Sequence, residues 1–97
     1  MIHLLEITPE HSPEKVAKQA RKFAMTGGYE VALKTDLKDS DYFKIFEIWS
    51  SELRNLQSKS SEMLSSNAWR ILDLLGKSAF VPQKLKQQVE TFMGVIK

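Results

Sequence analysis

The chain contains no cysteine, and this absence removes several kinds of chemistry at once. Disulfide bonds, thiolate metal sites and cysteine nucleophiles all need the missing side chain. Because disulfides are used mainly outside the reducing cytosol, a chain without cysteine fits a cytoplasmic location, which we expect here.

Glycine and histidine are scarce, which weighs against nucleotide and metal sites. Two of the four glycines are adjacent, at Gly27 and Gly28, and the others lie too far downstream for a phosphate-binding loop. The two histidines, His3 and His11, lack the spacing of metal ligands. The acidic residues at 36–41 are explained by the start of a helix, and the nearby sequence does not indicate a nucleophile. We therefore expect neither a cofactor nor enzymatic activity.

Long apolar runs are also missing. No segment approaches the roughly 20 residues needed to cross a bilayer, and the first eight residues lack the basic start and apolar length of a signal peptide. We therefore expect neither membrane insertion nor secretion. What is present is 42% hydrophobic and 27% charged residues in a 97-residue chain, a composition typical of one globular domain spanning 1–97.

The first third of the chain predicts a strand, a helix and a second strand. The segment MIHLLEI is short and β-branched at two positions, and the proline that follows it disfavours helical geometry. A helix should then begin with Ser12 as N-cap and Pro13 at its first position, and end at Gly27–Gly28. The next segment, YEVALK, alternates in the manner of a half-buried strand.

Three amphipathic helices should follow the second strand. The first begins at the acidic cluster near Asp39 and runs to about Leu56, with the apolar spacing of a helix face. Serine-rich sequence then interrupts this spacing, because serine favours helix caps over helix interiors. We predict a break within 58–66, with Ser65 or Ser66 as the N-cap of the next helix. A phosphorylation site or a flexible hinge would also explain the serine cluster.

The last two helices are separated by the segment KSAFVPQ. Gly76 should end the first of them, and Pro82 should open the closing helix, whose apolar stripe runs from Leu85 to Ile96. The predicted fold class is α+β and mainly helical, a strand–helix–strand unit followed by three helices. An all-α bundle with an extended N-terminal arm is the alternative.

Apolar residues on the helix flanks exceed what one core needs. In the densest apolar stretch, DYFKIFEIW, Phe43 and Ile48 lie on opposite sides of the core-facing stripe. Trp69 and Leu74 do the same on the next helix. Because exposed aromatic and apolar side chains mark interfaces, we predict that these four bind a protein partner or form a homodimer seam. A core helix covered on several sides would also explain them.

Positive charge gathers toward the C-terminal end, although the net charge is only +2. Lys77, Lys84 and Lys86 fall in a segment that has one acid, Glu90, and together with Arg70 they are the candidate residues for binding a polyanion. The last two predicted helices resemble the order of elements in a helix–turn–helix motif. Their connector, however, is longer than the usual three or four residues.

The sequence therefore favours a small non-enzymatic protein-interaction module, similar in size to inhibitors, immunity proteins and export chaperones. Self-association is part of this hypothesis, because a two-stranded sheet is marginal by itself and can be extended by a second chain. DNA binding through the basic C-terminal helix ranks second, and a small enzyme third.

Overall fold

Six elements follow one another along the chain, which a computed structural model describes for residues 2–56 and 62–96. They are β1 His3–Ile7, α1 Pro13–Met25, β2 Tyr29–Leu33, α2 Asp39–Leu56, α3 Glu62–Lys77 and α4 Gln83–Ile96. This order confirms the predicted fold class, α+β and mainly helical, with a strand–helix–strand unit followed by three helices.

The two strands lie side by side in parallel, and α1 is the crossover between them. Their register begins with His3 opposite Tyr29 and continues through all five residues of each strand. Because the N-terminal segment is paired in this way, it is a strand, and the alternative of an extended arm is wrong.

Helix α1 begins and ends at the residues that the sequence predicts. The Ser12 side-chain oxygen accepts a hydrogen bond from the backbone N–H of Lys15 at 3.2 Å, which satisfies a donor that the helix leaves free. After the last turn, Gly27 and Gly28 have φ angles of 132° and 97°, a region that glycine enters without strain. The N–H of Gly28 donates to the carbonyl of Phe23 at 2.8 Å and closes the helix end.

One hydrophobic cluster takes side chains from all six elements. Trp49, near the middle of α2, is fully buried within it, on the apolar face of that helix. The buried members are Leu5, Ile7, Val16, Ala20, Leu33, Tyr42, Ile45, Trp49, Leu53, Ala68, Ile71, Leu72, Leu75, Val81, Leu85, Val89 and Phe92.

Helix α3 begins earlier than the sequence predicts. Its first residue is Glu62, so Ser65 and Ser66 lie inside the helix, and the prediction that either one caps it is wrong. Serine inside a helix costs less than about 0.7 kcal/mol relative to alanine. Burial of Ile71 and Leu72 on the same helix outweighs that penalty. The rest of the predicted break, residues 58–61, lies outside the described residues.

The boundaries between α3 and α4 also differ from the prediction. Gly76 lies in the last turn of α3, which ends at Lys77, so Gly76 does not terminate the helix. A Cβ atom on Gly76 would lie 3.4 Å from Cγ1 of Val89, and glycine at this position leaves room for α4 to pack closely. Pro82 stands just before α4, and its carbonyl accepts the first helical hydrogen bond from Lys86 at 3.1 Å.

Candidate functional site

The four residues predicted to bind a partner are partly buried. Phe43 and Ile48 on α2, and Trp69 and Leu74 on α3, all pack against the core cluster. Leu74 also lines a groove of about 390 Å³ between α3 and β2. Each of the four therefore presents only part of its side chain to solvent, and their role in binding stays a prediction.

The four cations predicted to bind a polyanion lie in different surroundings. The guanidinium of Arg70 lies 6.0 Å from the ring centre of Tyr29, beside the groove between α3 and β2. Lys77 forms an ion pair at 3.0 Å with the carboxylate one turn before it on α3. Lys84 lines a separate groove between α2 and α4, and Lys86 is half-buried. Polyanion binding by this set therefore stays a prediction, and no single described groove contains all four.

Polar residues gather where the two parallel strands end, the edge at which α/β proteins commonly bind ligands. The backbone N–H of Thr8 donates to Nδ1 of His11 at 3.3 Å, and the hydroxyl of Tyr42 donates to the carbonyl of Lys34 at 2.9 Å. The carboxylate of Asp41 accepts a hydrogen bond from the backbone N–H of Lys38 at 3.1 Å. These groups hold the local chain in place, and within the described ranges no three acidic or histidine side chains form a metal-binding group.

The pKa of Tyr42 is displaced at this edge. Burial raises the pKa above its ordinary value of 10.0, because the interior disfavours the charged phenolate. A backbone hydrogen bond at Leu37 is the next largest effect and lowers the pKa, whereas repulsion from Asp36, Asp39 and Asp41 raises it. Tyr42 therefore keeps its proton and acts as a hydrogen-bond donor.

No described strand lies beside the outer edge of β1. Among the described elements, β1 packs mainly against β2 and α1. The N–H of His3 and the carbonyl of Ile7 both bond to the β2 side at 3.1 Å, so alternate residues of β1 direct their backbone groups inward. The backbone groups of Leu4 and Glu6 consequently point outward, and no described residue hydrogen-bonds to them.

The sheet face opposite the core is also open. Leu5 and Ile7 point into the core, whereas Leu4 is 58% exposed and Ile2, just before the strand, is 61% exposed. Sequence reasoning identified the strand but did not single out these two residues for binding. Strand alternation could have done so, because residues 2, 4 and 6 must share the face opposite Leu5.

A second surface, which we call the α2–α4 groove, encloses about 550 Å³. Two perpendicular rings, Phe46 and Phe92, lie in it with their centres 5.8 Å apart. The guanidinium of Arg54 lies 5.2 Å from the centre of the Phe92 ring, and Val95 is 81% exposed. The sequence alone does not predict that the two rings meet, because helix periodicity does not reveal that α2 and α4 are neighbours.

The β1 edge and the α2–α4 groove are the two surfaces of the described residues that we take as candidate binding sites. Within the described part of the chain, no helix combines the length and apolar character needed to span a membrane. The chain matches no protein-family model, no curated protein and no solved structure.

Proposed function

We propose that this protein is a small non-enzymatic protein-interaction module that self-associates by pairing the outer edge of β1 with the same edge of a second copy. The observation that supports this is the unpaired outward backbone of Leu4 and Glu6, beside the exposed side chains of Ile2 and Leu4. An open strand edge is a template for another strand, and a two-stranded sheet is marginal until it is extended. Two copies together form a four-stranded sheet.

The second copy pairs antiparallel about a two-fold axis, so that each β1 edge contacts the same edge of its partner. An axis beside Leu4 places the two Leu4 side chains next to each other across the pair and sets Glu6 opposite Ile2. An axis beside Glu6 would instead place two carboxylates directly opposite, which is destabilising. The arrangement centred on Leu4 is therefore the one we propose.

An accessory role, as an inhibitor, an immunity protein or a chaperone-like protein of the cytoplasm, suits a module that acts through its surface. The polar residues at the strand ends support a non-enzymatic function. Thr8, His11 and Tyr42 form hydrogen bonds with nearby residues of the chain. The partly buried helix-flank residues Phe43 and Ile48 offer an alternative dimer seam.

Light scattering on the purified protein tests the β1 pairing. At about 100 μM, well above a micromolar dissociation constant, we expect twice the chain mass of 11.1 kDa. Leu4→Pro should give the monomer mass, because proline removes an outward N–H while the bonds from β1 to β2 are kept. Leu4→Val keeps the N–H and is the matched control, which should remain a dimer.

Two outcomes contradict the proposal. One is a monomer mass for the unaltered protein at this concentration, and the other is a dimer that survives Leu4→Pro. If Phe43→Glu or Ile48→Glu gives a monomer of unchanged helicity while Leu4→Pro does not, the seam lies on the helices.

A further inference from the structure

We propose that the α2–α4 groove is a binding site for an acidic amphipathic helix of a partner protein. This site lies on helices α2 and α4, away from the strand edge that pairs two copies, and its occupancy does not depend on that pairing. Its partner is defined by the length, the charge and the apolar contacts of the groove.

The groove has the length of a short helix. The residues of α4 that line it stand at i, i+3, i+4, i+7, i+8 and i+11 counted from Lys84, so they form one stripe along the helix. From Lys84 to Val95 the stripe covers eleven steps, which is about 16 Å at 1.5 Å per residue. A partner helix of about three turns would lie along this whole stripe, as in other complexes where a helix binds between two helices.

The charge of the groove is positive. Arg54 and Lys84 line it, and none of the described residues that line it is acidic. The single ion pair among the described residues joins Lys77 to Asp73, so neither groove cation is paired with a described carboxylate. The first turn of α4, beside Lys84, also lacks an acidic residue and leaves the positive end of the helix dipole uncompensated.

The apolar part of the groove completes the description of the partner. The rings of Phe46 and Phe92 form a surface on which apolar side chains can pack, and the exposed Val95 extends this surface toward the end of α4. A helix that places apolar residues at i, i+3 or i+4, and i+7 would contact these three side chains. Its flanking carboxylates would then lie near Arg54 and Lys84.

Selection from a displayed library of randomised 12-residue helical peptides tests the site with the intact protein. We expect the selected peptides to be rich in aspartate and glutamate and to carry apolar residues at helical spacing. For a labelled selected peptide, fluorescence anisotropy should show affinity at least tenfold weaker in Arg54→Glu and in Lys84→Glu. Lys15→Glu, on the exposed surface of α1, is the matched control and should bind like the parent.

Several results would overturn the proposal. They are a failure to select any peptide, selected peptides without an excess of acidic residues, and binding that both groove substitutions leave unchanged. Displacement of the peptide by duplex DNA would also overturn it, because the cations would then recognise polyanions in general. Circular dichroism of each variant shows whether a loss of binding reflects the groove or a loss of fold.

Discussion

At the scale of single residues, the least expected feature is a fully buried amide inside an otherwise apolar helix face. Asn67 of α3 is inaccessible to solvent, and its Oδ1 accepts a hydrogen bond from the hydroxyl of Tyr29 at 3.0 Å. Its Nδ2, like Nε1 of the buried Trp49, has no hydrogen-bond partner within the described ranges. The bond from Tyr29 therefore ties β2 to α3 through a group that is costly to leave unpaired.

We expect Tyr29→Phe to lower the free energy of unfolding by about 1–3 kcal/mol, because it leaves the buried Asn67 without its remaining partner. The double variant Tyr29→Phe/Asn67→Leu should recover most of that loss, since both polar groups are replaced by apolar ones. Urea denaturation of the parent, both single variants and the double variant gives the coupling between the two residues. Equal stability of Tyr29→Phe and the parent would show that this hydrogen bond contributes nothing.

Tyr42 makes the stability depend on pH in the alkaline range. Because its folded-state pKa is raised above 10.0, the unfolded chain loses this proton at a lower pH than the folded chain does. The stabilisation that the protonated Tyr42 gives to the folded state is therefore fully present below pH 10. It is lost as the pH rises through the folded-state pKa. Tyr42→Phe should be less stable than the parent at pH 8, and the gap should narrow above pH 10. Denaturant titrations from pH 8 to 11 measure this, and a constant gap would contradict the expectation.

At the scale of the elements, local chemistry predicted the N-terminal unit better than the helix junctions. Ser12 and the glycine pair at 27–28 act through hydrogen bonds a few residues away, so their roles can be read along the chain. Gly76 resembles a terminator in sequence, but its position depends on the approach of Val89 from another helix. The α2–α4 groove could not be predicted for the same reason, because its two sides come from helices separated by α3.

We expect Ser12→Ala to cost about 1 kcal/mol, because the N-terminal turn of α1 loses the acceptor for the backbone N–H of Lys15. Ser12→Asp should retain the stability of the parent, since aspartate accepts the same bond and favours the positive end of the helix. Thermal unfolding of the three proteins measures the difference. A Ser12→Ala protein as stable as the parent would mean that water replaces the cap at no cost.

At the scale of the whole molecule, positive charge is distributed over separate places. Arg70 and Lys84 line different grooves, and Lys77 is already paired with Asp73. The connector from α3 to α4 contains five residues, 78–82, where a DNA-binding helix–turn–helix usually has three or four. These features favour recognition of a protein over recognition of a duplex.

We expect duplex DNA to bind no more tightly than the non-specific range of about 10⁻⁴ to 10⁻⁶ M at physiological salt. Each phosphate contact would contribute close to 0.9 to the slope of log affinity against log salt concentration. A protein that makes few phosphate contacts therefore gives a shallow slope. Fluorescence anisotropy with a labelled duplex at several salt concentrations measures both quantities. Sequence-dependent nanomolar binding that Lys84→Glu/Lys86→Glu abolishes would instead make α4 a recognition helix.

The parallel pairing of the two strands also shapes how the chain folds. His3 and Tyr29 are opposite each other although 26 positions separate them (29 minus 3), whereas α2, α3 and α4 pack in sequence order. Closing an interval of this size costs chain entropy before the strand contacts repay it, so the pairing forms more slowly than the local turns of a helix. We therefore expect β1 to pair with β2 only after the helix between them, α1, has formed, so that the β1 side of β2 stays open early in refolding. At high protein concentration, that delay gives the β1 strand of one copy time to pair with the β2 strand of another. Strand-exchanged dimers should therefore accumulate as the protein concentration during refolding is raised.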